Sequence, residues 1–450
     1  MSLFAIEEAL DLPPAGPAPL LTGEGALPSA FAVTDLAAES VTAVGLAVAD
    51  LLQRQGDARP AVTVDRRLAS FWFASSIRPQ GWQLPPSWDP LAGDYPGRDG
   101  WIRLHTNAPA HRAAVERVVG ACADRPALAA HVAGWAVEAL EQAVVEAGGC
   151  AAVMRDAAAW RAQPQGRALQ DEPLIAWTTT GEGPRRAWPG TPERPLAGLR
   201  VLDLTRVLAG PVASRTLAGL GAQVLRIDPP GWDEPGLVPD VTLGKRCARL
   251  DLRQTADRAT FEALLGQADL LLHGYRADAL ERLGYDEARC QTLAPGLIDV
   301  ALNAYGWTGP WRNRRGFDSL VQMSTGIAAA GMAWRQAAQP VPLPVQALDH
   351  ATGYLMAAAA IRALAKRRED GLGASARLSL ARTARLLVER SAPAGAVSLA
   401  EETEADLDPA VERGAWGEAR RLASPLRVGD RSLHWSLPAC PLGSHPAAWC

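Results

Sequence analysis

Lysine is almost missing from this chain. Lys245 and Lys366 are the only two in 450 residues, and Arg supplies the rest of the 45 basic side chains. Positive charge is not in excess either: Asp and Glu number 49, the net charge is −4, and no broad basic surface is left for nucleic acid. Paired cysteines are lacking. Cys122, Cys150, Cys247, Cys290, Cys440 and Cys450 form no CxxC motif, and no histidine cluster stands near them at metal-ligand spacing. Such isolated thiols read as buried residues of a reducing compartment, with no metal expected. No apolar run reaches the roughly 18 residues of a membrane span. Met1 to Gly25 lacks the basic head and apolar stretch of a secretory signal. The expectation is a cytoplasmic protein without a membrane or nucleic-acid partner.

What is present is an ordinary globular composition, 48% apolar and 21% charged, with length for two to three domains. Leu36, Val41, Val44, Val48 and Leu51 recur at helical spacing through 35–55, and a short strand follows at 61–65. Residues 72–99 are rich in Trp and Pro and read as packed irregular chain. A small α/β unit follows, with a strand at 101–104 and helices at 109–119, 126–132 and 134–147. The Pro-rich stretch 181–195 reads as a linker.

Beyond it the pattern alternates: strand 199–204, helix 211–220, strand 223–227, helix 256–267, strand 269–272, helices 276–283 and 286–293, strand 297–302. This order predicts a doubly wound parallel sheet. A helix at 349–368 and a strand at 376–380 echo the helix and strand at 35–65, allowing one insertion or deletion, and read as a degenerate internal repeat.

The first βα turn, Thr205-Arg-Val-Leu-Ala-Gly-Pro211, lies where open α/β sheets bind ligands. It is not GxGxxG, which disfavours a nicotinamide or flavin dinucleotide. Its Gly-Pro at a helix start offers free N–H groups to a phosphate or carboxylate.

Several motifs in register resemble the class III coenzyme A transferases, the formyl-CoA and carnitine-CoA transferase (CaiB/BaiF) family. They are Leu196-Ala-Gly-Leu-Arg-Val-Leu-Asp-Leu-Thr-Arg-Val-Leu-Ala-Gly-Pro211, Gly244-Lys-Arg-Cys-Ala-Arg-Leu-Asp251, Ala268-Asp-Leu-Leu-Leu-His-Gly-Tyr275 and Ala304-Tyr-Gly-Trp-Thr-Gly-Pro-Trp-Arg-Asn-Arg-Arg-Gly-Phe-Asp318. The match runs in order from 195 to 385. It implies a CoA-binding parallel α/β domain plus a smaller α/β domain.

It also implies an acyl-CoA:carboxylate CoA transferase working through an aspartyl mixed anhydride and an aspartyl-CoA thioester, with coenzyme A as substrate and no tightly bound cofactor. The partners would be an acyl-CoA and a carboxylic acid. The matching nucleophile is Asp349. The matching CoA contacts are Arg206, Val207, Leu208, Ala209, Tyr275 and Arg282, with Arg315 a further diphosphate candidate and Leu250 an apolar wall for adenine. On sequence alone, an Asp before a helix is first an N-cap and each Arg a surface charge.

There are departures. Leu208 stands where formyl-CoA transferase has Gln, and Gly274 where it has Asn, so the oxalate and formate pair is not implied. The small domain precedes the catalytic half instead of following it. The expected layout is 1–97 as the degenerate repeat, 98–180 as the small domain, 181–195 as the linker, 196–345 as the CoA-binding domain, and 346–450 as the catalytic helix, strand and returning segment. The family's interlocked dimers make a homodimer the expectation, with internal closure by the repeat as the alternative. Two other readings remain: an acyl-CoA racemase or isomerase, against which Phe317 stands in place of the needed His, and a CoA-binding protein without activity.

Overall fold

A computed structural model describes residues 2–13, 16–183, 190–390 and 397–449. Residues 184–189 of the expected linker, and Cys450, lie outside them. A seven-stranded sheet forms the centre. Its strands are β1 (Ala176–Glu182), β2 (Arg200–Leu204), β3 (Gln223–Asp228), β4 (Lys245–Arg249), β5 (Leu270–His273), β6 (Ile298–Asn303) and β7 (Leu372–Ser379), in the order β4-β3-β2-β5-β6-β7-β1. Six run parallel; β1 joins antiparallel at the edge of β7. Every residue of β5 and β6 is buried. Both faces are covered, and the strands are mainly apolar, with His273, Asp299 and Asn303 as buried polar exceptions.

The chain leaves β2 toward β3 on one side and returns to β5 on the other. The crevice between the carboxyl ends of β2 and β5 is therefore the topological switch point. Four helices concern the site: α1 (Val33–Arg54), α2 (Ala209–Gly219), α3 (Asp318–Ser324) and α4 (Ala347–Asp370). α4 lies between α1 and α2 in the main core, and its residues 347–365 are all buried. A left-handed Gly371 ends it.

α4 approaches α2 backbone to backbone. A Cβ on Gly353 would stand 2.3 Å from the Ala209 carbonyl oxygen and 2.8 Å from the Val212 Cβ. Only a glycine lets the two helices meet there.

The first α/β unit has its own three-stranded sheet (93–96, 101–104 and 151–153) and its own core around Leu104, Val115 and Leu140. Its strand at 151–153 packs on α3 through Ala152, Leu320 and Met323. N- and C-terminal segments share two further sheets, pairing 77–80 with 417–422 and 62–65 with 426–428. Asp240 locks these segments to the centre. Arg215 and Arg421 both reach its carboxylate, at 2.6 and 3.1 Å, and Ser76 donates its backbone N–H. Burial raises the Asp240 pKa, but the two guanidiniums outweigh it and hold the group at about 2.

The sheet does not stop at the expected boundary near 345, since β7 and β1 lie outside 196–345. β4 and the strands at 77–80 and 93–96 were not expected. β4 carries Lys245, Arg246 and Arg249, and its alternation is hidden by charge. The other two sit in the Trp/Pro-rich stretch read as irregular. The helix expected at 276–283 shrinks to 279–282, and Leu380 opens a helix instead of closing β7.

α1 and α4 begin alike. Ala32 (φ −75°, ψ 61°) and Gln346 (φ −75°, ψ 65°) each form an inverse γ-turn, closed by a 2.8 Å bond from Val33 N–H to the Phe31 carbonyl and from Ala347 N–H to the Val345 carbonyl. Each helix is followed by a strand, then by a helix capped by a side chain, Asp65 in one case and Ser379 in the other. Asp35 and Asp349 stand as far apart in sequence as these two caps do, so no insertion or deletion separates the pairs.

Helix propensity alone would make Gly353→Ala stabilising by about 1 kcal/mol. The close approach to Ala209 reverses the sign. We expect thermal or denaturant unfolding to show a loss of roughly 1–3 kcal/mol.

Candidate functional site

The first βα turn is held from beneath. Lys245, one of the two lysines, is buried and donates to the Pro211 carbonyl at 3.0 Å and to the Ser214 hydroxyl at 2.5 Å, with Asp203 at 3.2 Å. The other lysine, Lys366, is part-exposed and paired with Asp11 at 2.6 Å. Val207 has φ 66°, a left-handed conformation that a β-branched residue adopts only under constraint. Its N–H donates to Glu234 at 2.8 Å, and Glu234 is itself paired with the buried Arg226. A strained turn fixed in this way exposes the start of α2 to the crevice.

Above this turn is a cavity of about 300 Å³. Arg206, Val207, Leu208, Ala209, Tyr275, Arg315 and Asp349 all line it, so seven of the nine sequence-chosen residues come together. The Arg206 guanidinium lies between the rings of Trp232 and Tyr275, at 4.7 and 5.1 Å, and donates to the Tyr275 hydroxyl at 3.2 Å. Leu250 and Arg282 are elsewhere. Leu250 is buried in a core cluster with Leu204, against which Tyr275 packs, and the exposed Arg282 pairs with Asp278 at 2.6 Å.

Asp349 sits in the first turn of α4 and is 8% exposed. Gln346 gives this helix no side-chain cap. Asp318, at the start of α3, does so from outside: its Oδ2 accepts the Asp349 N–H at 2.9 Å, and it also takes the Leu348 N–H. Gln322 donates to the other oxygen of Asp318 and accepts the Leu343 N–H at 2.7 Å. Two carboxyls thus share a dry site. Burial, then the charge of Asp318, push Asp349 well above the usual carboxylate range. Burial pushes Asp318 up to about 6 against its hydrogen bonds. Among the described residues, no side chain hydrogen-bonds or ion-pairs with the Asp349 carboxylate.

Asp35 is different. Its carboxylate is paired with Arg66. Arg66 is the first residue after the cap Asp65. The residue so placed after the cap Ser379 is Leu380, which lines the cavity with Asp349. An apolar residue next to Asp349 thus stands where a cation next to Asp35 does.

Sequence reasoning missed Trp232, Arg276, Arg314 and His111 in the cavity wall. Arg314 stands in a motif already singled out, and Arg276 follows Tyr275 directly; both were readable as cations beside named contacts. His111 arrives from the first α/β unit by a fold-level contact with no local signal. Its ring, held down to about 4 by burial and then by Arg315, is neutral. His350, beside Asp349 in sequence, points away: it is buried against Phe73 at 5.1 Å, with neither ring nitrogen hydrogen-bonded.

Four arginines, an exposed helix start and an unpaired carboxylate make a cavity suited to a phosphorylated thioester and a carboxylate nucleophile. Among the described residues there is no cluster that would hold a metal ion, and no helix is long and apolar enough to cross a membrane.

Residues 196–411 match the model of CoA-transferase family III. The acetyl-coenzyme A transferase nodX of Hypoxylon pulicicidum is 36% identical over 188 residues, 41% of this chain and 32% of its own length. The succinyl-CoA–D-citramalate CoA-transferase of Chloroflexus aurantiacus is 32% identical over 196 residues, 40% of this chain and 48% of its own. The crystal structure of Rv3272 from Mycobacterium tuberculosis aligns over 43% of this chain and 57% of its own, at 31% identity and a TM-score of 0.40. The chain thus spans between a third and a half of the length of these two curated relatives.

A carboxyl whose folded pKa exceeds its unfolded value favours the fold while protonated and loses that advantage as pH rises through the folded value. Asp349 therefore costs stability at neutral pH. Asp349→Asn should raise Tm at pH 8 by roughly 1–3 °C. In a pH series the difference should close as pH falls below about 4, where the carboxyl is protonated in both states.

Proposed function

We propose that this chain moves coenzyme A between an acyl-CoA and a free carboxylic acid, with the Asp349 carboxylate as nucleophile. The observation that carries the reading is Asp349 itself: a carboxylate in the cavity of the first βα turn, on an arginine-lined wall, with no cation or hydrogen bond of its own. The carboxylate attacks the thioester carbonyl. The C–S bond breaks and leaves a mixed anhydride and CoA thiolate. The thiolate attacks the aspartyl carbonyl and releases the donor acid, giving aspartyl-CoA. The acceptor carboxylate then attacks that carbonyl, again freeing thiolate and forming a second anhydride. Thiolate attack on the acceptor's carbonyl yields the new acyl-CoA and restores Asp349.

The raised pKa and the nucleophilic role fit together. A carboxylate poorly solvated and unpaired is a stronger nucleophile than one in water, at the cost of needing higher pH to form. Arg206, Arg276 and Arg315 supply positive charge for the diphosphate and the thiolate, while Arg314 is held by Glu141 at 3.1 Å. Arg282, exposed outside the cavity, would meet only the distal part of the coenzyme. Asp318 is a positioning residue: it fixes the start of α4 and sets the proton affinity of its neighbour.

The N-terminal segment is read as a degenerate copy of 347–388. Its Asp35 is silenced by Arg66, and its α1 covers α4 as a second subunit would. Because α4 is already buried within one chain, this supports internal closure over a homodimer. Light scattering should find a species of 47.6 kDa.

The isomerase reading has one support, His111 in the same cavity as Asp349. It requires solvent deuterium to enter the α-carbon of an acyl-CoA during incubation. The transfer reading requires none.

Asp349→Asn should abolish CoA exchange between acyl-CoA and acid, followed by mass spectrometry, while CoA affinity changes less than about threefold. Hydroxylamine should trap Asp349 in the wild type incubated with acyl-CoA. The kcat/KM profile should rise with pH along a limb above the ordinary carboxylate range, and Asp318→Asn should move that limb to lower pH. Retained exchange in Asp349→Asn, or an adduct on Asp35, would sink the mechanism.

A further inference from the structure

A second cavity, of about 270 Å³, adjoins the first. The two share Val207, Trp232 and Phe317 as wall. Phe317 directly precedes Asp318, whose carboxylate holds the Asp349 N–H, so this wall begins one residue from the carboxyl pair. The far side comes from the N-terminal half, from the stretch between Pro86 and Pro109.

The two cavities differ in charge. The first carries four arginines and a single carboxylate, Asp349. The second contains no Arg or Lys, and three carboxylates: Asp89, Asp233 and Glu234. Two of these are committed to the protein. Asp89 accepts from the Thr106 hydroxyl at 2.7 Å and the Leu91 N–H at 2.9 Å, and Glu234 holds Val207 and Arg226. The rest of the wall is mainly flat or apolar. His105 stacks on Phe317, with centroids 3.8 Å apart and planes 2° from parallel, and Trp88 stands edge-on to His105 at 5.9 Å. Trp232, Pro235 and Leu237 add apolar surface, and Ser87 and Asn107 add polar groups. Burial keeps the His105 ring neutral, at about 3, so it offers no cation either.

Resting on the transfer reading above, we propose that this second cavity receives the body of the acyl group and of the acceptor acid, and that it selects monocarboxylic acids with an aromatic or cyclic apolar body over dicarboxylic acids. The carboxyl end stays with Asp349 and the arginines. The body passes Val207 and Phe317 into aromatic walls, where rings stack well. The second carboxylate of a dicarboxylic acid would find no Arg or Lys in the lining and would lie near Asp233, while Arg112 and Arg226 are already engaged by Asp89 and Glu234; desolvating an unpaired charge is heavily disfavoured. The space suits a ring-bearing acid better than a long acyl chain.

The test uses the full-length Asp349→Asn protein, in which thioesters persist, titrated calorimetrically with CoA, phenylacetyl-CoA and succinyl-CoA. Phenylacetyl-CoA should bind at least about tenfold tighter than CoA, and succinyl-CoA no tighter than CoA. Trp88→Ala, at a part-exposed rim position, should erase the phenylacetyl gain and leave CoA affinity unchanged. Asp233→Arg, at the exposed rim, should improve succinyl-CoA binding at least about fivefold. Succinyl-CoA binding as tightly as phenylacetyl-CoA, or a phenylacetyl gain that survives Trp88→Ala, overturns the inference. With the wild type, exchange onto succinate but not phenylacetate would overturn this inference alone. Failure of CoA itself to bind would remove the transfer reading and this inference together.

Discussion

The site depends on one close approach, the meeting of Gly353 with the Ala209 carbonyl. It brings α4 onto the start of α2 with no side chain between them. Asp349, one turn before Gly353, therefore stands over the turn that follows β2. Were the helices at an ordinary packing distance of 8–10 Å, the carboxylate would be lifted away from the crevice. The rest of the architecture supports this contact. Lys245 and Asp203 pin α2 from below, and α1 presses α4 from the opposite side. Asp318 ties the first turn of α4 to α3, and through it to the first α/β unit.

Much of this was legible in the sequence, for identifiable reasons. β2, β3, β5 and β6 are buried on both faces, and so announce themselves as apolar runs between helical segments. Asp349 and the Arg206–Ala209 turn were found by motif and register, not by any local physical signal. What stayed hidden was contact between distant segments. His111, Trp88 and His105 reach the site only because the first α/β unit folds over it, and nothing local in 86–111 says so. β4 was obscured because Lys245, Arg246 and Arg249 break up its apolar pattern. Leu250 and Arg282 do not line the cavity beside Asp349, because a register match fixes place along the chain while orientation depends on the turns around it.

Asp35 and Asp349 differ chiefly in what stands beside them. Both begin a long buried helix behind the same inverse γ-turn. One faces Arg66 and becomes half of an ion pair; the other faces Leu380 and keeps its charge unanswered. The contrast lies in what was left out of the neighbourhood of Asp349, and an unpaired buried carboxyl carries a stability cost.

The scarcity of lysine acquires a meaning against this chemistry. Thioesters acylate amines without any catalyst, so a protein that concentrates them risks modifying itself. Of the two lysine amines, Lys245 is sealed beneath α2, and Lys366 lies in the grip of the Asp11 carboxylate. Arginine, which carries the positive charge everywhere else, stays protonated and does not attack acyl carbonyls. On the proposed transfer reading, a side-chain set so poor in amines would limit self-acylation by an activated acyl group.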